Sequence, residues 1–573
     1  MIAGAQLVVR ALEDERIPFA FGIPGTHNIE LYDALAGSRI VRPVLVTDEQ
    51  SASFMADAVW RATGGERLGC VNVVPGAGLT HALSGIAEAF MDNVAMLVLG
   101  CGIRRDTGMA YQLHDVDQLA IARPVTKGTF RPERGADLYA VIREACALAR
   151  QGAPGPVFVE IPANLYLFKH AASIASPPPA EPPTAPAPDI VAHVADLLQR
   201  ARHPLLYVGY GARAADIVAL AERLESPVAT TIQGKGVFPE SHPLALWPGF
   251  GDAAPPFVRE VVRGCDATVA IGCRFGEVAT GSYGVRPPRP LVHVDIAPGV
   301  AGRNFPADVG ITADAGAFVS ALLPRLASRT PDAALRTRIR DGRAHVQQQW
   351  RDGASTTGVT PYFLLDALQR QFGAEAVFTA DSGNGTFLAM ECLRLERPGR
   401  LLAPVDYSCM GYAVPAAIGA KLARREAPVV ALAGDGAFLM TGLELLTAAT
   451  LGVAVVVVVL RDRELAQISQ FQSVAFNRKV SSVLPDYDLA GLCAGMGVEC
   501  LALDRDADLD VVLERAASIA ERGSPVVLDA AIDYGEKTYF TRGVVKTNLG
   551  RLPWADRLRF ILRALGRRVA GDR

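Results

Sequence analysis

The sequence Gly434-Asp435-Gly436-Ala437-Phe438 stands between an apolar run, Val429 to Ala433, and a segment, Leu439 to Leu451, whose apolar residues recur at helical spacing. The run predicts a buried strand and the segment predicts a helix, so the glycines are predicted to lie on a strand-to-helix turn. Glycines at such a turn let backbone N–H groups approach a phosphate, and the start of a helix favours negative charge. Asp435 adds a carboxylate oxygen, which is the kind of ligand that Mg²⁺ binds.

A second carboxylate follows the next predicted strand. Residues Val453 to Leu460 form another apolar, β-branched run, and Asp462 comes just after it, 27 residues beyond Asp435. That interval has room for one helix and one strand, so two successive parallel strands would end at the same sheet edge. In α/β proteins ligands bind at this edge. The two carboxylates therefore predict a site for a phosphate-bearing ligand and its metal ion.

A glycine-rich turn, a helix, a strand and a polar pair at this distance resemble the motif of the thiamin-diphosphate enzymes. The likeness is to the branch with acetolactate synthase, pyruvate oxidase, benzaldehyde lyase and oxalyl-CoA decarboxylase, and most of all to acetolactate synthase large subunits. Where that family usually has Asn-Asn, this chain has Arg461-Asp462. The resemblance implies that Mg²⁺ is bound by Asp435, Asp462 and the backbone carbonyl of Glu464. It also implies that the cofactor diphosphate lies against Gly434, Asp435, Gly436, Ala437 and Phe438.

Composition limits the classes of protein that this chain can belong to. It has 573 residues, 50% of them apolar, and a net charge of −3, which indicates a globular protein of about three or four domains. The charge balance gives no electrostatic case for a nucleic-acid partner. The nine cysteines show no pairing at zinc-site spacing, so reduced thiols and a cytoplasmic location are expected. The first residues lack the pattern of a signal peptide.

Strand-like and helix-like segments alternate through most of the chain, which predicts the α/β class with parallel sheets. A proline-rich stretch between the first two such regions predicts a stiff linker. The resemblance implies three doubly wound domains, which bind the pyrimidine, form a middle domain and bind the diphosphate. The predicted organisation is a pyrimidine-binding domain at 1–170, a linker at 171–188, a middle domain at 189–328, a helical connector at 329–356, a diphosphate-binding domain at 357–540 and an amphipathic tail at 541–573.

In the first domain, Glu49 is predicted to lie where a strand ends and a helix begins. Taken alone, it is an acidic residue in a helical first turn, where the helix dipole favours it. The resemblance implies a catalytic and cofactor-binding role, a hydrogen bond to N1′ of the aminopyrimidine. A carboxylic acid there favours the imino tautomer, whose nitrogen takes the C2 proton of the cofactor. Such an acid must hold its proton near neutral pH, which requires a dry site.

Three histidines of the first domain are candidate catalytic residues. His27 follows the predicted first strand, His81 takes a position where relatives usually have Asn, and His114 falls where they have Gln. The alternative for each is an ordinary surface or hydrogen-bonded core histidine. Together they would suit proton transfer to a carbanion or an alkoxide.

Two segments of the third domain resemble further cofactor contacts. The turn that begins at Asp381 resembles one that touches the diphosphate, which implies roles for Gly383, Asn384 and Gly385; the alternative is a turn with ordinary Asx capping. The segment 406–412 resembles the one beneath the thiazolium ring. There Met410 would hold the cofactor bent and the Ser408 carbonyl would accept from its 4′-amino group, whereas the alternative for Met410 is core packing.

The middle domain and the tail leave alternatives open. The segments 208–211, 272–275 and 293–296 resemble those that bind FAD in acetolactate synthase, although several relatives keep this domain without a nucleotide. FAD is therefore a candidate second cofactor. The stretch 551–573 has seven Arg, two Asp and an apolar helical face, so it is predicted to dock on a subunit or to lie on a membrane surface.

The resemblance implies decarboxylation of a 2-oxo acid with Mg²⁺ and thiamin diphosphate, followed by carboligation to a second carbonyl compound such as an aldehyde. One alternative is a C–C lyase or 2-oxo acid decarboxylase of the benzaldehyde lyase or oxalyl-CoA decarboxylase type. Another is a catalytically silent, membrane-associated homologue, which the Arg461-Asp462 departure favours and the intact Glu49 and Asp435 disfavour. Relatives form homodimers or homotetramers in which Glu49 of one subunit would meet Asp435 of another.

Overall fold

Three six-stranded parallel sheets follow one another along the chain, each with helices packed against it. The computed structural model describes residues 1–171, 174 and 182–570, and side chains as far as residue 567. The predicted α/β class with three doubly wound parallel-sheet domains is confirmed. Half of the predicted proline-rich linker, residues 172–173 and 175–181, lies outside the described residues.

The first sheet has the strand order β3-β2-β4-β5-β7-β6, and the terminal pair β1 and β8 is antiparallel. Its strands are β1 (Ile2–Ala3), β2 (Phe19–Gly22), β3 (Arg42–Leu45), β4 (Gly69–Val73), β5 (Met96–Gly102), β6 (Gly128–Phe130), β7 (Pro156–Pro162) and β8 (Lys169–His170). Its helices are α1 (Gly4–Asp14), α2 (Ile29–Ala36), α3 (Glu49–Ala62), α4 (Ala77–Met91), α5 (Gln118–Ala122), α6 (Leu138–Arg150) and α7 (Ala163–Leu167).

The middle sheet has the order β11-β10-β9-β12-β13-β14. Its strands are β9 (Pro204–Val208), β10 (Val228–Thr230), β11 (Ala245–Pro248), β12 (Ala267–Ile271), β13 (Leu291–Asp295) and β14 (Val309–Thr312). Its helices are α8 (Pro188–Arg200), α9 (Ile217–Leu224), α10 (Pro256–Arg263) and α11 (Ala315–Leu322), and the connector helix that follows is α12 (Ala333–Asp352).

The third sheet has the order β16-β15-β17-β18-β20-β19. Its strands are β15 (Val377–Ala380), β16 (Leu401–Leu402), β17 (Val429–Gly434), β18 (Val456–Leu460), β19 (Glu499–Leu503) and β20 (Val526–Ala530). Its helices are α13 (Pro361–Phe372), α14 (Asn384–Cys392), α15 (Ala413–Ala423), α16 (Asp435–Thr441), α17 (Leu445–Leu451), α18 (Ala466–Phe476), α19 (Leu489–Gly495) and α20 (Leu509–Glu521), followed by α21 (Tyr539–Arg551) and α22 (Trp554–Ala570).

Strands β17 and β18 at the centre of the third sheet are apolar along their whole length, as expected for strands covered by helices on both faces. In β18 all five residues are Val or Leu and all are buried. Such β-branched runs fit a pleated surface that is packed on both sides. The two strands that precede Asp435 and Asp462 carry no polar side chain, which leaves the chemistry to the turns at their ends.

Helices α3 and α15 pack together and join the first and third sheets. A Cβ atom added to Gly419 would lie 2.4 Å from the Met55 carbonyl oxygen, so this crossing requires a residue without a side chain. Both helices begin close to predicted site residues, Glu49 in one case and Met410 in the other. The packing thus fixes the distance between two parts of the candidate site.

The helix predicted from Leu439 to Leu451 starts earlier and is interrupted. Helix α16 begins at Asp435 itself, and a 3₁₀ turn, Gly442–Glu444, separates it from α17. A Cβ atom at Gly442 would lie 2.7 Å from the Phe438 ring, and the buried Glu444 carboxylate accepts a 2.7 Å hydrogen bond from the Thr47 hydroxyl. The Phe438 ring within this segment and the bond to Thr47 of the first domain together override the continuous helical pattern.

The boundary predicted between 357–540 and 541–573 falls inside helix α21. This helix packs against the middle domain, where Lys546 forms an ion pair of 3.0 Å with Asp252. Helix α22 follows and contacts α18, with the Arg563 guanidinium 4.9 Å from the centre of the Phe476 ring. Among the described helices none combines the length and the hydropathy needed to cross a membrane.

Candidate functional site

Asp435 and Asp462 lie at the carboxyl edge of the third sheet. Strands β17 and β18 are parallel neighbours, and Gly434 is in register with Leu460. Asp435 is the first residue of α16, where its carboxylate accepts hydrogen bonds from the backbone N–H groups of Gly436 at 2.8 Å and Arg463 at 2.7 Å. Asp462 accepts one from the Glu464 N–H at 3.2 Å.

Without a cation beside them, the ionised forms of the Asp435 and Asp462 carboxyl groups are electrostatically unfavourable. Burial raises the pKa of Asp435, and burial together with the negative charge of Asp435 raises the pKa of Asp462 to about 7. A divalent cation between them would relieve both effects, and oxygen ligands on adjacent strand ends suit Mg²⁺. The Glu464 side chain pairs with Lys479, so the metal ligand predicted from Glu464 would be its backbone carbonyl. The residues present thus fit the metal.

The turn after β15 has a backbone shape that glycine favours. Gly383 has φ of +117° at the start of α14, outside the range that side chains usually allow. The buried Asp381 carboxylate accepts from the N–H groups of Gly411 and Ala413, each at 2.9 Å, and from its neighbour Ser382 at 3.0 Å. Asp381 therefore caps its own turn and also ties it to the segment that contains Met410. Asn384 and Gly385 begin α14.

The Met410 segment lies against the turn of Asp435. The Met410 methyl carbon is 3.7 Å from where a Cβ atom of Gly436 would be, so a glycine there admits a large apolar neighbour. Ser408 has φ of +65°, and its hydroxyl is 2.7 Å from that of Ser382. The Met410 carbonyl accepts from the Gln50 side chain at 3.4 Å. The structure thus brings four predicted cofactor-binding segments together: 383–385, 408–410, 434–438 and the start of α3.

Buried charges of the first domain hold the backbone of this segment. The Arg61 guanidinium pairs with Asp57 at 2.7 Å and with Asp92 at 2.9 Å. Asp92 in turn accepts hydrogen bonds from the backbone N–H groups of residues 405 and 406 at 3.3 and 3.1 Å. Glu88 accepts from the Cys409 N–H at 3.1 Å, and burial raises the pKa of Glu88. The positions 405–409 are therefore set by carboxylates from another domain.

Glu49 is the first residue of α3, and only 10% of its side chain is exposed. Its Oε2 atom lies 3.2 Å from Nδ1 of His81, on α4. Asp48 lies beside this pair, and burial is the main cause that raises the pKa of Asp48. The structure thus brings together two of the four residues predicted to be catalytic.

The other two predicted catalytic residues, His27 and His114, also contact each other. Their rings are edge to face with centres 5.5 Å apart. Burial and the neighbouring His114 lower the pKa of His27, so the neutral imidazole is favoured there. His114 has φ of +67°, an uncommon backbone conformation that often marks a functional loop. The histidines thus form two contacts, one with Glu49 and one with each other.

The segments that resemble an FAD site meet at the carboxyl edge of the middle sheet. Gly209 and Gly211 donate backbone hydrogen bonds to residues 271 and 272, and His293 lies 2.8 Å from the Cys273 carbonyl. Arg274 pairs with Asp406 of the third domain at 2.6 Å.

Several residues around the site were not found from the sequence. Glu88 on α4 and Asp92 just after that helix are single acids whose role depends on partners far away in the chain. Arg461 departs from the family's usual Asn, and its pairing with Asp529 at the end of β20 has no signal in the sequence. The one signal available was a charged residue on a predicted apolar face, as for Glu88 on α4.

The chain matches three sequence profiles of one family. These are the thiamine pyrophosphate enzyme N-terminal TPP binding domain over residues 2–121, the central domain over 191–322 and the C-terminal TPP binding domain over 381–530. Each profile falls within the region of one of the three parallel sheets, and only the central profile includes every strand of its sheet.

Individual relatives also match this chain over most of its length. The chain is 31% identical to acetolactate synthase of Mycobacterium bovis, over 92% of this chain and 88% of that protein. It is 30% identical to the large subunit of acetolactate synthase isozyme 3 of Escherichia coli, over 94% and 96% of the two chains. A probable acetolactate synthase large subunit of Methanocaldococcus jannaschii is 29% identical over 93% and 92%. The resemblance drawn from the sequence is confirmed, and this chain belongs to the thiamine pyrophosphate enzyme family, among the relatives of the acetolactate synthase large subunit.

Proposed function

We propose that this protein decarboxylates a 2-oxo acid and joins the remaining fragment to a second carbonyl compound, with thiamin diphosphate and Mg²⁺ as cofactors. The observation that carries the proposal is the meeting of Asp435 and Asp462 at one sheet edge, beside a glycine turn at the start of a helix. This arrangement supplies both halves of a metal–diphosphate site. Membership of the family supports the same reading.

The residues of the third domain would hold the cofactor. Mg²⁺ would be bound by Asp435, Asp462 and the carbonyl of Glu464, and the diphosphate by residues 434–438 and 383–385. Met410 would support the ring system, and the Ser408 carbonyl would accept from the amino group of the pyrimidine. When bound, thiamin diphosphate supplies a nucleophilic carbon that adds to the keto group.

The residues of the first domain would move protons. Glu49 would hold a proton at the pyrimidine, and its nearly buried carboxyl suits that role. His27 and His114 would exchange a proton with the substrate oxygen or carbon. Their rings contact each other, so they can act as one pair. His81 contacts Glu49 and would act together with that carboxyl group.

The histidine pair also favours a second candidate function, a C–C lyase or decarboxylase without carboligation. Two imidazoles in contact provide a proton donor that can quench the carbanion before a second carbonyl compound arrives. Product analysis distinguishes the two functions. Carboligation predicts a new carbon–carbon bond when an aldehyde or a second 2-oxo acid is supplied. The decarboxylase predicts only the aldehyde and CO₂, and the C–C lyase predicts cleavage of a 2-hydroxy ketone into two carbonyl compounds without CO₂.

The direct test uses purified protein, Mg²⁺ and thiamin diphosphate with a panel of 2-oxo acids, and follows CO₂ release with and without an aldehyde. Asp435→Ala is the matched control, because it removes a metal ligand and leaves the substrate side intact. CO₂ release from at least one acid, absent in the variant, supports the proposal. No release from any acid would favour the catalytically silent homologue.

The relatives imply assembly in general, and we propose a homodimer or homotetramer with shared sites. Four apolar side chains next to the metal turn are 44–59% exposed, which is typical of a surface that another subunit covers: Leu439, Met440, Leu443 and Leu446. Co-expression of Glu49→Gln with Asp435→Ala tests the sharing. If Glu49 of one subunit meets Asp435 of another, each mixed dimer has one intact site, so a randomly paired population regains about a quarter of wild-type activity, whereas sites within one chain regain none.

The remaining proposals concern location and a second cofactor. A cytoplasmic location is supported by nine free thiols. Contact with a membrane surface through 551–573 is supported by exposed apolar residues on α22 and by a net charge of +5 in that stretch. FAD remains a candidate at the middle sheet, and the visible absorbance of the purified protein tests it.

A further inference from the structure

The contact between His81 and Glu49 joins two helices of the first domain. Glu49 begins α3, and His81 lies on the second turn of α4, which packs along α3. The Nδ1 atom of the imidazole is 3.2 Å from Oε2 of the carboxyl group. The side chain of Glu49 is 10% exposed and that of His81 is 64% exposed, so the histidine approaches the carboxyl from its open side.

The two oxygens of Glu49 have different surroundings. Oε2 faces the imidazole, whereas Oε1 faces Gly78, at 3.4 Å from where a Cβ atom of that residue would lie. A Cβ atom there would also lie 2.9 Å from a methyl group of Val74, so a side chain at this position would crowd the space beside Oε1. Glycine therefore keeps one oxygen open while histidine occupies the other.

This difference between the two oxygens suits a carboxylic acid that must present its proton from Oε1 and not from Oε2. A carboxyl group can carry its proton on either oxygen and can rotate about its last bond. A donor N–H on Oε2 makes that oxygen the acceptor, which leaves the proton on Oε1. The carboxyl is then oriented before the cofactor arrives, and the reaction does not spend free energy on ordering it.

We propose that His81 is a positioning residue for Glu49: its Nδ1–H donates to Oε2 and holds the carboxyl with Oε1 directed to the pyrimidine of the cofactor. The inference rests on the proposed function, in which Glu49 acts at N1′. It assigns His81 a task that differs from the proton transfer of His27 and His114. Asn, the usual residue of relatives at this position, also carries an N–H donor, so it can do the same task.

The experiment measures three quantities on four variants of the full-length protein. The quantities are the dissociation constant of thiamin diphosphate with Mg²⁺, the rate of exchange of its C2 proton for deuterium followed by NMR on quenched samples, and the melting temperature. The variants are His81→Ala, His81→Asn, Glu49→Gln and the double variant with His81→Ala and Glu49→Gln. His345→Ala, an exposed histidine on the connector helix, is the matched control.

His81→Ala is expected to slow C2 exchange by about 10- to 100-fold, less than the usual worth of a placed acid because Glu49 itself is still present, while cofactor affinity and melting temperature change little. His81→Asn is expected to exchange within about threefold of the wild-type rate, because an amide N–H replaces the imidazole N–H. The double variant is expected to be no slower than Glu49→Gln, because His81 acts only through Glu49.

Three results would overturn the inference: wild-type exchange in His81→Ala, exchange in His81→Asn as slow as in the alanine variant, or additive losses in the double variant. Wild-type exchange in Glu49→Gln would instead overturn the proposed function itself. If His81→Ala failed to fold, His81→Leu, which fills the space and has no N–H donor, takes its place, and wild-type exchange in that variant would overturn the inference.

Discussion

The guanidinium of Arg461 lies 2.8 Å from the carboxylate of Asp529, across the carboxyl ends of β18 and β20. Arg461 stands where the family usually has Asn, and the next residue, Asp462, adds a carboxylate to the metal site. The pair therefore keeps the summed charge of the two positions unchanged. Asp529 provides Arg461 with a fixed partner, so its charge stays beside the site without entering it.

Arg461→Asn is expected to destabilise the protein by about 1–2 kcal/mol, because it leaves a mostly buried Asp529 without its partner. Chemical denaturation of the apoprotein measures the change. Replacing both residues, Arg461→Asn with Asp529→Asn, should recover most of the loss. A double variant that is as unstable as the single one would show that Arg461 acts through other contacts.

Asp462→Ala is expected to weaken binding of thiamin diphosphate by at least about tenfold at fixed Mg²⁺, because one of two carboxylate ligands is removed. Asp462→Asn should bind within a few-fold of wild type, since an amide oxygen is the usual ligand of relatives. Isothermal titration of the cofactor with varied Mg²⁺ separates the two effects. Equal affinities in all three proteins would contradict the assignment of Asp462 to the metal.

Glu391 should make stability depend on pH. Burial raises its pKa to about 7 from 4.5, and one carboxylate oxygen has no hydrogen-bond partner. Because the folded pKa is the higher one, this contribution is fully present below about pH 4.5 and is lost as pH rises through 7.

Glu391→Gln keeps the acceptor for the Phe540 N–H and removes the titration. It is expected to abolish a decline of at most about 3 kcal/mol in the free energy of unfolding between pH 4.5 and 7. Urea denaturation at several pH values tests this, with Glu391→Ala as a control that also loses the hydrogen bond. An unchanged pH profile in Glu391→Gln would mean that other groups dominate the dependence.

The stretch 551–573 is expected to bind vesicles that contain anionic lipid and to release them at high salt. Trp554, Leu562 and Leu565 are 74%, 57% and 51% exposed. Paired substitution of Leu562 and Leu565 by Asp should abolish sedimentation with vesicles without removing the helix. Wild-type protein that stays in the supernatant at low salt would show that the helix serves a contact between protein surfaces.

The sequence predicts the edges of the sheets well and the contacts between domains poorly. The turn at Asp435 and the strand before Asp462 follow from local periodicity, because a buried parallel strand has few alternatives. The break at Gly442 could not be predicted, since its causes are the Phe438 ring and the distant Thr47. The contact of His81 with Glu49 depends on how two helices cross, which the spacing within each of them does not fix.

The charged groups around Arg61 form a junction on which both the first and the third domain depend, so neither domain is complete without the other. Asp92 is shared between the Arg61 guanidinium and the backbone of residues 405 and 406, so cutting the chain between the sheets would leave a buried acid short of donors. A chimaera that exchanges one sheet with a relative must therefore carry both sides of this junction. The same restriction would apply to natural recombination: an exchange that separated Asp92 from the segment 405–406 would leave this junction unmatched.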